Sequence, residues 1–208
     1  MKATCSFLTS LQNKEDIKEF SPIVEPMLNT IIEAMKQDET IGRKAIESMI
    51  ILAEYHPVLF ENYCSWIVSI SAELMENKDF EPETRNYSCE FVCIIADMYP
   101  ALLRRTEEVG TKFFPALFWM MTEVELPEPD EQEEWLTWIE QDDLSKTDVH
   151  TISKINLGRF SKAIGEKTTL GATSELIKEA ITHEDWKVRV AGYFFLGFLA
   201  ESCKEAFS

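Results

Sequence analysis

A ten-residue pattern occurs twice in this chain, 43 positions apart. Ile51-Leu52-Ala53-Glu54-Tyr55-His56-Pro57-Val58-Leu59-Phe60 returns as Ile94-Ile95-Ala96-Asp97-Met98-Tyr99-Pro100-Ala101-Leu102-Leu103. Phe198-Leu199-Ala200-Glu201 is a weaker third copy, and Ala163-Ile164-Gly165-Glu166 a candidate fourth. A period near 40 residues is the signature of a helix-turn-helix unit that cannot bury its apolar face alone and must stack on its neighbours. Both clear copies close an amphipathic helix. Pro57 and Pro100 then remove a backbone donor, stop that helix and open the next, so both prolines are read as structural.

The apolar spacing agrees. Tyr87, Phe91, Ile94, Ile95 and Met98 fall at steps of three or four, as do Phe60, Tyr63, Cys64, Ile67, Ile70 and Leu74, and Val109, Phe113, Leu117, Met120 and Met121. Each stripe is read as core packing. Caps or acidic first turns at Asp38-Glu39-Thr40, Glu81-Pro82-Glu83-Thr84 and Glu184-Asp185-Trp186 mark helix starts. The expected helices lie near 2–11, 20–37, 40–56, 58–76, 82–103, 107–122, 148–166, 169–182 and 184–206. The chain is therefore expected to be all-α, a HEAT-repeat α-solenoid of stacked antiparallel helix pairs with one acidic insertion. Residues 1–122 hold HEAT-type pairs, 123–147 the insertion, and 148–208 further helices. Both ends read as cut within the repeat, so a piece of a longer protein is expected.

The insertion carries most of the charge. The chain has 20 basic and 37 acidic residues, a net charge of −17. Eleven of the acids, against Lys146 alone, lie in the 26 residues from Glu123 to Asp148. Trp135 and Trp138 sit among them. One reading is a solvated acidic loop. Another is a site for a basic partner, built from Glu128, Asp130, Glu131, Glu133, Glu134, Glu140, Asp142 and Asp143, with the two indoles covering Lys and Arg stems. The tryptophans could equally dock a short helix back onto the stack. A calcium loop is disfavoured because the segment has no Gly for the required turn.

The acidity also excludes partners. It repels nucleic-acid phosphates and anionic lipid and attracts basic protein surfaces. No apolar run approaches the roughly 20 residues of a membrane span. Cys5, Cys64, Cys89, Cys93 and Cys203 are scattered and odd in number, which suits a reducing compartment. Cys89 and Cys93 share a helical face but lack a second ligand pair, so they are read as core thiols and no metal or cofactor is expected. His56, His150 and His183 lie at helix ends or in loops, and no catalytic motif accompanies them. No enzymatic activity and no catalytic residue are expected.

One further block narrows the family. His183-Glu184-Asp185-Trp186-Lys187-Val188-Arg189-Val190-Ala191-Gly192, followed by Leu199-Ala200-Glu201-Ser202-Cys203, resembles the D-W-K-x-R-x-A-G … E-G-C helix of the importin-β superfamily. Pro115-Ala116-Leu117-Phe118-Trp119-Met120-Met121 ahead of the acidic segment resembles its importin-5 class. Ser202-Cys203 stands in place of the usual Gly-Cys, and the insertion is shorter than in that class. The resemblance implies a nuclear import receptor, shuttling between cytoplasm and nucleus as a monomer. Its implied partners are basic import cargo, the GTPase Ran and nucleoporin phenylalanine-glycine repeats. It also implies that Trp186 packs between repeats, that Arg189 pairs with a neighbouring acid, and that Arg85, 104 residues earlier, repeats that role. The helices near 20–37, 58–76, 107–122 and 169–182 are taken as the inner ones, with Glu61, Glu73 and Glu123 as inner-face acids. A phosphatase regulatory subunit or similar HEAT scaffold is the alternative; it accounts for the repeat and not for the insertion.

Overall fold

The computed structural model describes residues 1–11, 14–124 and 148–202, and every regular element among them is helical. α1 (Lys2–Thr9) and α2 (Lys14–Glu19) lead into α3 (Val24–Gln37), which pairs with α4 (Glu39–Tyr55). α5 (Cys64–Glu76) pairs with α6 (Pro82–Met98). A short α7 (Pro100–Leu103) and a π-turn (Val109–Phe113) lead into α8 (Phe114–Met121), whose partner is α9 (Val149–Ile164). α10 (Glu166–Ile181) pairs with α11 (Trp186–Ser202). The molecule is a HEAT-repeat solenoid.

Local chemistry sets the boundaries. The Asp38 carboxylate accepts from the Thr40 and Ile41 amides at 2.8 and 3.3 Å and starts α4, and Asp148 accepts from the Thr151 amide at 2.9 Å and starts α9. α4 and α6 end before His56 (φ −137°, ψ 61°) and Tyr99 (φ −151°, ψ 68°). Each precedes a proline whose ring disfavours helical geometry in the residue before it. The single helix expected over 82–103 is thus split at Tyr99. Pro115 has no N–H to offer the carbonyl four residues back, and a wider π-turn precedes it. α9 passes into α10 through Gly165 at φ +89°, a conformation open to glycine.

The helices form two layers, with α3, α5, α8 and α10 in one and α4, α6, α9 and α11 in the other. Aromatic rings fill the space between: Phe60 meets Phe91 at 5.7 Å, Phe113 meets Phe160 at 4.5 Å, and Phe118 meets Phe195 at 5.5 Å. Neighbours within the layers are spaced unequally. α4 packs along α6 and α6 along α9, whereas α3 and α5 hardly touch. Over these repeats the α4, α6, α9 layer is the more continuously packed one, and α5 in turn packs along the π-turn and α8. The helices expected to be inner correspond to α3, α5, α8 and α10, which form the other layer. The core stripes also divide: Val109, Phe113, Leu117, Met120 and Met121 are all buried, while Met98 is 48% exposed.

Candidate protein-binding face

The 43-residue repeat places like side chains on the open side of the α4–α6 layer. Thr40, Lys44, Glu47, Ile51, Glu54 and Tyr55 are exposed on α4. Their counterparts on α6 are Glu83, Tyr87, Glu90, Ile94, Asp97 and Met98, exposed or half-buried. Steps of three and four residues keep each set on one helical face. Each helix therefore presents two carboxylates two turns apart with an isoleucine between them.

The two helices differ in what answers those carboxylates. On α6, Arg159 of α9 donates from Nη1 to Glu90 Oε2 at 2.6 Å and from Nε to Asp97 Oδ2 at 2.5 Å. Burial opposes the Arg159 charge, but the hydrogen bonds and charges of Glu90 and Asp97 outweigh it and raise the guanidinium pKa. On α4, no cation among the described residues pairs with Glu47 or Glu54. Ile51 is 47% exposed and Tyr55 62%. The α4 face is thus open, acidic and partly apolar. That chemistry suits a peptide with a cation beside an apolar side chain.

Glu123 stands elsewhere and is occupied. Arg85, itself buried, donates Nε to the Met75 carbonyl at 2.7 Å and Nη1 and Nη2 to the Glu123 carboxylate at 2.8 and 2.6 Å. Lys78 Nζ approaches Glu123 Oε1 at 3.5 Å. Burial pushes the Glu123 carboxyl up, but Arg85 hydrogen bonds and charge, with Lys78, hold it below the ordinary value. Glu123 therefore joins two repeats and is not a free inner-face acid. Glu61 and Glu73 are exposed and lie with the α3, α5, α8, α10 layer, Glu73 on α5 and Glu61 just ahead of it. Glu61 lines an open groove of about 520 Å³ with Cys64, Tyr99, Leu102, Arg105 and Glu108.

Other expected site residues are placed as follows. Pro57 and Pro100 are the first residues of the short helical turns after α4 and α6. Arg189 donates Nη1 to the His183 and Glu184 carbonyls, both at 2.7 Å, where the sequence reading had it on a neighbouring acid. The carbonyls in the turn after α10 lack helical partners, and the guanidinium supplies them. Arg85 and Arg189 thus both reach back from their own helices, Arg85 to the last turn of α5 and Arg189 to the turn after α10. Trp186 is 38% exposed with the Lys187 ammonium 5.7 Å from its ring centroid, where packing between repeats was expected. As the first residue of α11 it projects beyond the interlayer core. Glu128, Asp130, Glu131, Glu133, Glu134, Trp135, Trp138, Glu140, Asp142, Asp143 and Cys203 lie outside the described residues. Among the described residues, no three His, Cys, Asp or Glu side chains gather as metal ligands would, and no helix is long and apolar enough to cross a membrane.

The sequence reading missed Glu47, Glu54 and Ile51. Their signal was present in the repeat, which pairs Glu54 with Asp97 and Ile51 with Ile94. Their openness was not, because it depends on which neighbour supplies Arg159.

The importin repeat family model matches residues 77–171. Importin subunit beta-3 of Saccharomyces cerevisiae is 27% identical over 196 residues, covering 92% of this chain and 18% of that protein. A probable importin-5 homolog of Dictyostelium discoideum is 24% identical over 194 residues, covering 93% and 18%. The chain thus spans less than a fifth of the length of these relatives. Among solved structures, Kap121p bound to Pho4p superposes with a TM-score of 0.85 at 22% identity, over 98% of this chain and 20% of that one. Kap121p bound to RanGTP superposes at 0.82 and 22% identity, over 97% and 20%.

Proposed function

We propose that this importin-β family fragment is a segment of a nuclear import receptor, and that it acts by binding basic protein cargo through the open acidic face of α4. The observation that carries this reading is the pair Glu47 and Glu54 flanking exposed Ile51, beside Tyr55, on the more closely stacked layer. Two carboxylates 7 residues apart receive Lys or Arg side chains, and Ile51 and Tyr55 take the apolar stem or the neighbouring residue. The named relatives and neighbours support the assignment, since Kap121p has been solved bound to Pho4p and to RanGTP. Ran in its GTP form and nucleoporin phenylalanine-glycine repeats are proposed partners of the longer protein, which would shuttle between cytoplasm and nucleus as a monomer. The acidic tryptophan-containing segment over 123–147 is a proposed second contact for basic partners.

The test is binding of a fluorescent lysine-rich import-signal peptide, and of Ran in GTP and GDP forms, to this chain. The comparison proteins are E47Q/E54Q and a variant lacking Glu125 to Asp143. Peptide binding that falls in E47Q/E54Q supports the α4 face. Binding that falls only in the deletion moves the site to the acidic segment. Failure to bind either ligand overturns the reading for this segment.

A further inference from the structure

We infer that Arg159 is a built-in competitor for cationic ligands: it occupies the second acidic pair of the α4–α6 layer and leaves that layer one basic anchor, at α4. The inference rests on the proposed binding role of the α4 face and adds what limits it.

Glu47 and Glu54 on α4 have the same spacing and helical register as Glu90 and Asp97 on α6. What answers the pairs from the next repeat differs by one side chain, on faces that also differ in Lys44 against Tyr87 and Tyr55 against Met98. Arg159 reaches across from α9 and spends two N–H groups on two carboxylates of another helix, as a ligand arginine would. Arg159, Glu90 and Asp97 are each about one-third exposed, with side chains at 31%, 32% and 32%, so the pair is reachable from solvent and not sealed in the core. Cover also differs between the isoleucines: Ile94 is half-buried where Ile51 is 47% exposed. The acidic register ends at the same point. α9 has no Asp or Glu over Val149–Ile164 and carries Lys154, Arg159 and Lys162.

A tethered cation acts at a high effective concentration. An incoming lysine must displace Arg159 to use Glu90 and Asp97, whereas Glu47 and Glu54 need no displacement. Adjacent packed helices are about 8–10 Å apart. An extended peptide covers about 10 Å in three residues. Two lysines three residues apart would therefore span both pairs if the second were free.

The experiment uses that two-lysine peptide and a one-lysine control with glutamine at the second position, titrated by fluorescence anisotropy at physiological salt. Wild type should bind the two within about twofold of each other. R159Q should bind the two-lysine peptide about fivefold more tightly than wild type does, with the one-lysine peptide unchanged. R159K, which can still answer one carboxylate, should fall between. Independently of how R159Q folds, E90Q/D97N should keep wild-type affinity for both peptides within about twofold, because those acids are already spent. A wild type that gains from the second lysine as much as R159Q, or an E90Q/D97N protein that loses binding, overturns the inference. If one-lysine binding is present and lost in E47Q/E54Q while R159Q changes nothing, the Arg159 role fails and the α4 face stands. If no protein binds either peptide, both fall together.

Discussion

Arg85 of α6 and Glu123, just past α8, make two parallel hydrogen bonds of 2.8 and 2.6 Å across 38 residues of sequence, with Arg85 buried to 3% exposure. The same guanidinium also reaches back to the Met75 carbonyl in the last turn of α5 at 2.7 Å. One side chain therefore ties together the ends of α5, α6 and α8. In a stack whose units meet only their neighbours, such a contact joins one repeat to the next.

Removing it should be costly. Arg85→Ala leaves Glu123 without its bidentate partner and the Met75 carbonyl without its donor. A loss of about 3–5 kcal/mol is expected, as for breaking a buried ion pair from one side. Chemical denaturation of the purified variant checks this. A midpoint unchanged from wild type would mean that the pair contributes little.

The same pair gives a pH dependence. Glu123 is held below its ordinary value, so it contributes stability above the unfolded-chain pKa of about 4.3 and loses it as pH falls through the lower native value. Thermal melts of wild type should therefore drop more steeply below about pH 4 than those of E123Q, which has no proton to gain. Parallel curves would remove Glu123 from the acid transition.

Peptide binding to the α4 face should depend on salt. E47Q/E54Q should weaken a lysine-rich peptide about tenfold at low ionic strength, with the gap closing at high salt as screening shortens. An equal loss at all salt concentrations would point to damaged packing.

Gly192 tests the closeness of α10 and α11. A Cβ there would lie 2.9 Å from the Ala180 Cβ and 3.2 Å from the Ile181 backbone nitrogen. Gly192→Ala should destabilise by about 1–3 kcal/mol, against the gain alanine normally brings to a helix. Gly171→Ala has open space around the added methyl and serves as the control, expected to be neutral or stabilising. Thermal melts of both variants decide.

Much of the fold was legible because it is written in short-range order. The step of three or four residues, the caps at Asp38 and Asp148 and the prolines at 57, 82 and 100 are local signals acting over a turn or two. Pro100 announced the stop at Tyr99, but the expected range 82–103 ran past it because apolar periodicity continues to Leu103, while backbone sterics do not allow the helix to do so.

By itself, the sequence determined the helical repeat, its 43-residue period and the equivalence of Glu47 with Glu90 and Glu54 with Asp97. Periodicity depends only on neighbours along the chain. Tertiary structure decided which acids are open and what each arginine answers. Arg85 and Arg189 lie at corresponding places in the repeat, yet one meets a carboxylate and the other two carbonyls. Glu90 and Glu47 correspond as well, yet one is held by Arg159 and the other is open. The physical reason is that a charge is satisfied by whatever the adjoining repeat brings within about 3 Å. For Arg85 and Glu90 that neighbour comes from a segment 38 and 69 residues away along the chain, whereas Arg189 turns to carbonyls 5 and 6 residues back.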